Sequence, residues 1–212
     1  MIIKKFPSGP IATNTYIISC ETSLEACIID CPPSSAKAVI QYIEENQLVP
    51  QKIILTHSHW DHIGDVSFLK KHYNVPVYIH EDDVKNLEIP GSDKIPCRLS
   101  IEGVKADFFL KENDLVNVGE LNFKVIHTPG HSPGSICLYS KEEKVLISGD
   151  TLFKGSMGLI NLPTGNPKAM WESLKKLAKL PPETKVYPGH EGSTTIGSEP
   201  WLESAEKRFG NY

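Results

Sequence analysis

The segment from Thr56 to Asp65 reads THSHWDHIGD and directly follows the apolar run KIIL. Within it, His57, His59, Asp61 and His62 crowd four imidazole or carboxylate groups into six residues. On an extended strand, side chains two positions apart share a face, so His57 and His59 can aim at one point. Asp61 and His62 follow where the chain should turn into a helix, and they can aim nearby. Such donors suit zinc, and also iron or manganese. A closed structural zinc site usually draws on several cysteines and fills all four positions. No cysteine lies near this cluster. Nitrogen and oxygen donors leave a metal able to acidify its water, which hydrolysis requires. The donor set therefore points to catalysis rather than to a structural metal.

Three more candidates lie far along the chain. His131 sits in TPGHSPGS, Asp150 in ISGDTLF and His190 in YPGHEG. Each falls where an apolar strand runs into a loop, the place where sheets present functional groups. The remaining histidines are weaker candidates. His72 lies on a helix beside Lys70 and Lys71 and should be solvated. His80 and His127 end strands, and His127, four residues before His131, is the strongest of the three.

These groups need elements to position them. IIKKF, TNTYIIS and EACIID read as strands. SSAKAVIQYIEENQ reads as a helix with Ala36, Val39, Ile40 and Ile43 on one face. KIILT is a short strand, and Asp61 is placed to cap a helix over HIGDVSFLKKHY. VPVYIH is a strand, followed by a short helix near EDDVKNL. Residues 88–106 hold Pro90, Gly91, Pro96 and Gly103, and should form a long loop at the rim of a site. DLVNV, LNFKVIHT, SICLYS and KVLISGD make a second run of strands. NPKAMWESLKKLAKL is a helix, TKVYPG a strand and SEPWLESAEKRF a terminal helix. This order is no uniform βαβ alternation. It suggests two mixed sheets packed together with helices outside. No linker separates the halves, so residues 1–212 read as a single domain.

A chain of 212 residues can bury a core that needs no staples. Its net charge of −4 gives no basic field for nucleic acid or an anionic membrane. The start, MIIKKFPSGPIATN, lacks the apolar core of a signal peptide, and no later run is long enough to span a bilayer. The expected location is the cytoplasm. Cys20, Cys27, Cys31, Cys97 and Cys137 read as reduced thiols, being odd in number and without a CxxC pair. Nothing in the sequence marks an oligomeric state.

Taken in order, IIDCP, THSHWDH, TPGHSPGS, SGDTLF and YPGH resemble the five motifs of the metallo-β-lactamase superfamily. GDTLF followed by GSMG, and the later PGHEGSTTIG, resemble the glyoxalase II-like hydrolases in a short form without their extra C-terminal helical domain. The resemblance implies a four-layer αβ/βα sandwich with the site at one edge. It also implies two divalent metal ions, zinc foremost, with iron or manganese as alternatives. His57, His59 and His131 would hold the first, Asp61, His62 and His190 the second, and Asp150 would bridge them. Asp30, in IIDCP, matches the aspartate of the family's first motif and is expected to steady a ligand loop. The implied activity is hydrolysis of a small acyl thioester, such as a hydroxyacylglutathione. A hydroxide shared by the two ions would attack, with Asp61 orienting it. Where glyoxalase II-like chains usually carry an arginine or lysine, this one has Leu159, and Asn161 stands where Asp is common. Lys154, in TLFKGS, is the candidate to offer the substrate a positive charge instead. Two other activities share these motifs. One is a mononuclear iron dioxygenase acting on a glutathione persulfide, using His57, His131 and Asp150. The other is a lactonase or related hydrolase.

Overall fold

The computed structural model describes residues 1–210. Six strands form the first sheet: β1 (Ile2–Ser8), β2 (Thr13–Ser19), β3 (Glu25–Ile29), β4 (Val49–Ile54), β5 (Val77–His80) and β6 (Phe108–Leu110), in sequence order. β1, β2 and β3 pair antiparallel, because short turns join them. From β3 to β6 the pairing is parallel, because helices cross between the strands. Those helices are α1 (Ala36–Glu45), α2 (Trp60–Ile63), α3 (Val66–Tyr73) and α4 (Val84–Glu88). The second sheet holds β7 (Leu115–Val118), β8 (Leu121–His127), β9 (Ile136–Ser140), β10 (Val145–Gly149), β11 (Lys185–Pro188) and β12 (Thr194–Thr195). There α5 (Pro167–Leu177) spans the parallel pair β10 and β11, and the other pairs are antiparallel.

Alternation along the strands builds the layers. Every residue of β2 is buried. Ile17 faces Val39 of α1 and Leu69 of α3, while Ile18 joins Phe123 and Leu138 between the sheets. On the far side, Leu146 and Val186 pack against Met170 and Leu174 of α5 and against Trp201. The result is helix, sheet, sheet, helix, the four-layer αβ/βα sandwich. In α5 the buried Met170, Trp171, Leu174 and Leu177 form one apolar stripe. Asn166 caps it by accepting from Ala169 N, and Pro167 opens its first turn. Leu174 is fully buried, so Leu174→Ala would cost about 2–5 kcal/mol.

Three local expectations differ from the structure. The helix expected over HIGDVSFLKKHY divides into α2 and α3. Gly64 lies against Pro33 at this break, where a Cβ would meet Pro33 Cγ at 2.4 Å. Asp61 caps neither helix; His59 precedes α2 and Asp65 precedes α3. Asp65 accepts from Ala36 N at 2.8 Å and so serves the start of α1. The terminal helix shrinks to α6 (Ala205–Phe209), preceded by 3-10 turns at Ile196–Ser198 and Leu202–Ser204. Pro200 lies between those turns and cannot continue a helix. The short strands β6 and β12 were not expected. All five cysteines are free. Among the described residues, no helix is long and apolar enough to cross a membrane.

Candidate metal centre

Strand ends from both sheets deliver the chemistry. His57 and His59 follow β4, His131 lies in the β8–β9 turn, Asp150 follows β10 and His190 follows β11. α2 carries Asp61 and His62. One donor atom each from His57, His59 and His131 lies within 4.8 Å of the others. Asp61, His62 and His190 form a second such group. Asp150 sits between the two. Its Oδ2 is 3.4 Å from His131 Nε2 and 3.4 Å from His190 Nε2, and its Oδ1 is 3.4 Å from His62 Nε2. All seven expected side chains are thus brought together, six of them buried and His190 partly so.

Whether this cluster suits cations can be judged from its unmade bonds. His57 Nε2, His62 Nε2 and Asp150 Oδ1 are buried without a well-formed hydrogen bond, His62 Nε2 having only long contacts to Asp61 Oδ2 at 3.3 Å and Asp150 Oδ1 at 3.4 Å. Buried polar atoms are nearly always paired, and leaving one unpaired costs about 1–3 kcal/mol. Three in one cluster of imidazoles and carboxylates is the pattern that divalent ions would relieve. The residues fit such ions.

Outer contacts aim each ring. Asp30, held at φ 56°, accepts Thr56 N at 2.8 Å and the Thr56 hydroxyl at 2.7 Å. It also contacts His62 Nδ1 at 2.9 Å, which turns His62 Nε2 to the centre. His131 Nδ1 donates to Leu159 O at 2.8 Å and leaves Nε2 inward. The Thr164 hydroxyl donates to His131 O at 3.0 Å. Its single proton is then engaged, so it accepts from His59 Nε2 at 2.9 Å. That bond leaves a lone pair on His59 Nδ1, which faces His131 Nε2 at 2.8 Å. Strand β2 steadies the last loop: Asn14 Nδ2 and Tyr16 Oη both donate to Pro188 O, just before His190. At Gly189 a Cβ would lie 2.1 Å from Asp150 Oδ1, so only glycine admits this approach.

Electrostatics divide the two groups. Burial, aided by repulsion from neighbouring imidazoles, pushes His57 well below its usual pKa and His59 down to about 3. Both are neutral and ready to donate a lone pair. Burial opposes charge on His62 as well, but Asp61, Asp150 and Asp30 outweigh it and raise its pKa. His190 rises to about 9, because hydrogen bonds to Asp150 and Asp61 overcome its burial. Asp61 falls to about 2, burial being outweighed by His62 and His190, and Asp150 falls well below its ordinary value for similar reasons.

Other expected residues land elsewhere. Lys154 is exposed and lines a separate hollow with Glu183, Lys185 and Arg208, so it does not supply charge at the cleft over the cluster. His72 is exposed. His80 and His127 stack at 4.0 Å with planes 13° apart. Lone pairs lie in the ring planes, so two near-parallel rings do not converge on one ion, although Asp82 is close. Loop 88–106 does reach the rim, through Ile95.

Several positioning groups were not anticipated: Thr13, Asp83, Thr164 and the cleft wall at Trp60. Asp83 accepts Ser58 N at 2.9 Å, Ser132 Oγ at 2.8 Å and Gly134 N at 2.7 Å. It therefore ties the His57–His59 loop to the His131 loop. Nothing in EDDVKNL separates Asp83 from its exposed neighbours Glu81 and Asp82, because its role depends on a contact 51 residues away.

Comparison with known proteins agrees with this geometry. The chain is 34% identical over 178 residues to a hydroxyacylglutathione hydrolase, GloC, of Haemophilus influenzae, covering 82% of this chain and 84% of that protein. It is similar to the crystal structure of the BLEG-1 B3 metallo-beta-lactamase, with TM-score 0.87 and 39% identity over 95% of this chain and 99% of that one. It is also similar to TTHA1623 in a di-iron-bound form, with TM-score 0.79 and 35% identity over 93% and 99%. The family model described as the metallo-beta-lactamase superfamily matches residues 8–190, and with the sandwich and the clustered histidines and aspartates it shows that the chain belongs to that superfamily.

Proposed function

We propose that the protein is a two-metal hydrolase of a small acyl thioester. The observation that carries this reading is the shared carboxylate. Two three-donor groups flank Asp150, which reaches both within 3.4 Å. His57, His59 and His131 would hold one ion, Asp61, His62 and His190 the other, and Asp150 would bridge them. Zinc is the expected occupant, and iron or manganese also suit these donors. Two such ions would supply an activated hydroxide at neutral pH and polarise the substrate carbonyl.

The chain's own groups do the rest. Asp61 is held by the Thr13 hydroxyl at 2.7 Å and lines the cleft above the centre. Its carboxylate is placed to orient the attacking hydroxide by hydrogen bonding. Thr164 and Leu159 O fix His59 and His131 against rotation. Trp60 and Phe153 wall the cleft beside the centre. A thiolate is a good leaving group and needs little acid assistance. The similarity to a hydroxyacylglutathione hydrolase supports the thioester class.

A second reading, lactam hydrolysis, is favoured by the 39% identity to a B3 enzyme. A chromogenic lactam assayed beside a thioester separates the two. Asp150→Ala tests the main reading. Metal content and thioester hydrolysis should fall together, and full retention of both ions would refute the bridging role.

A further inference from the structure

The walls that a substrate meets differ in kind from the floor beneath them. A cleft of about 610 Å³ lies over the cluster. Ile11, Trp60, Phe153, Met157, Leu159 and Leu162 form most of its sides. Ile11 is 51% and Leu159 62% exposed, so these chains stand open rather than filling a core. A concave apolar surface beside a few convergent polar groups is the usual form of a small-ligand site. Beyond Leu159 a smaller hollow of about 200 Å³ continues the wall with Ile160 and Phe209.

Outside the clustered histidines and aspartates, charge on these walls is sparse. Apart from the clustered histidines and aspartates, Glu191 is the charged residue lining the cleft among the described residues. No lysine or arginine lines it. Lys5 Nζ donates to the backbone carbonyl of Glu191 at 2.9 Å, and Lys5 itself does not line the cleft. Lys94 and Arg98 flank the Ile95 segment without lining the cleft. A carboxylate held against these walls, away from the centre, would lose hydration, find no lysine or arginine lining the cleft and face Glu191. An uncharged apolar group would cover surface that now meets water.

We propose that the substrate's thiol portion is uncharged and apolar, so that glutathione, with its two carboxylates, is a poor carrier. This rests on the hydrolase reading and narrows it. The test uses the metal-loaded full chain and one acyl group on two thiols of similar basicity, benzyl mercaptan and glutathione. After correction for uncatalysed hydrolysis, the benzyl thioester should show a kcat/KM higher by about ten-fold or more, because an unpaired charge is rejected more strongly than a neutral group.

A binding measurement separates this inference from the parent reading. Inert ketone analogues, with a methylene between carbonyl and sulfur, are titrated while tryptophan fluorescence is followed; Trp60→Phe checks the source of the signal. The benzyl analogue should bind tighter than the glutathione one. Leu159→Asp should weaken it with metal content unchanged. If no thioester is hydrolysed but the benzyl analogue is preferred, the hydrolase reading fails and the apolar site stands. If glutathione compounds are matched or preferred in binding, the inference is overturned whatever the rates. An unchanged affinity in Leu159→Asp likewise counts against it.

Discussion

The carboxylate of Asp30 lies 2.9 Å from Nδ1 of His62, and the same oxygen accepts the Thr56 hydroxyl at 2.7 Å. One residue at the end of β3 thus orients a donor on α2 and anchors the start of the His57 loop. Both contacts depend on a backbone at φ 56°, a conformation few side chains adopt readily. Asp30→Asn keeps the shape but removes the charge and one acceptor. Affinity for the ion at Asp61, His62 and His190 should fall about 10–100-fold, as when outer partners of metal ligands are lost. Metal titration with a chromophoric competitor would measure it, and the group of His57, His59 and His131 should change less.

Asp83 makes a different prediction, because it touches no expected ligand. It joins the two loops that carry His57, His59 and His131 through three hydrogen bonds. Its carboxyl pKa is raised by burial, which those bonds only partly offset. Asp83→Ala would leave Ser58 N and Gly134 N buried without an acceptor. A loss of about 3 kcal/mol or more in denaturant unfolding is expected. Metal occupancy should drop in the folded fraction as well, since the loops lose their tie.

The pH dependence of metal binding should differ between the two donor groups. In the metal-free chain His62 and His190 hold protons at neutral pH, with His190 titrating near 9. Their pairing with Asp61, Asp150 and Asp30 stabilises the metal-free fold below the unfolded histidine pKa, and that contribution is lost as pH rises through about 9. A metal must displace these protons. His57 and His59 are already neutral and release none. Calorimetry in buffers of different ionisation heat should show proton release for one of two binding events near pH 7. The rise in Tm on adding metal should grow as pH increases towards 9.

Much of this was legible in the sequence because the informative residues sit at strand ends. An apolar run followed by His, Asp or Gly-Pro punctuation marks both the strand and the side chain it presents. That is why His57, His131, Asp150 and His190 could be singled out although up to 133 residues separate them. The two mixed sheets followed from strand runs that broke βαβ alternation. The division of HIGDVSFLKKHY into α2 and α3 was not legible, since it answers to Pro33 packing on Gly64. Thr164, Asp83 and Asn14 were hidden for the same reason. Each is an ordinary polar residue until a distant loop meets it. Lys154 shows the converse error: a charge near in sequence to Asp150 faces a different hollow.

In the proposed mechanism two ions serve one reaction. Metal-free protein titrated with zinc, with hydrolysis of an uncharged thioester followed at each addition, tests this most directly. The rate should keep rising until both donor groups around Asp150 are filled, at two ions per chain. A rate that plateaus at one ion per chain, or no hydrolysis when two are bound, would contradict it.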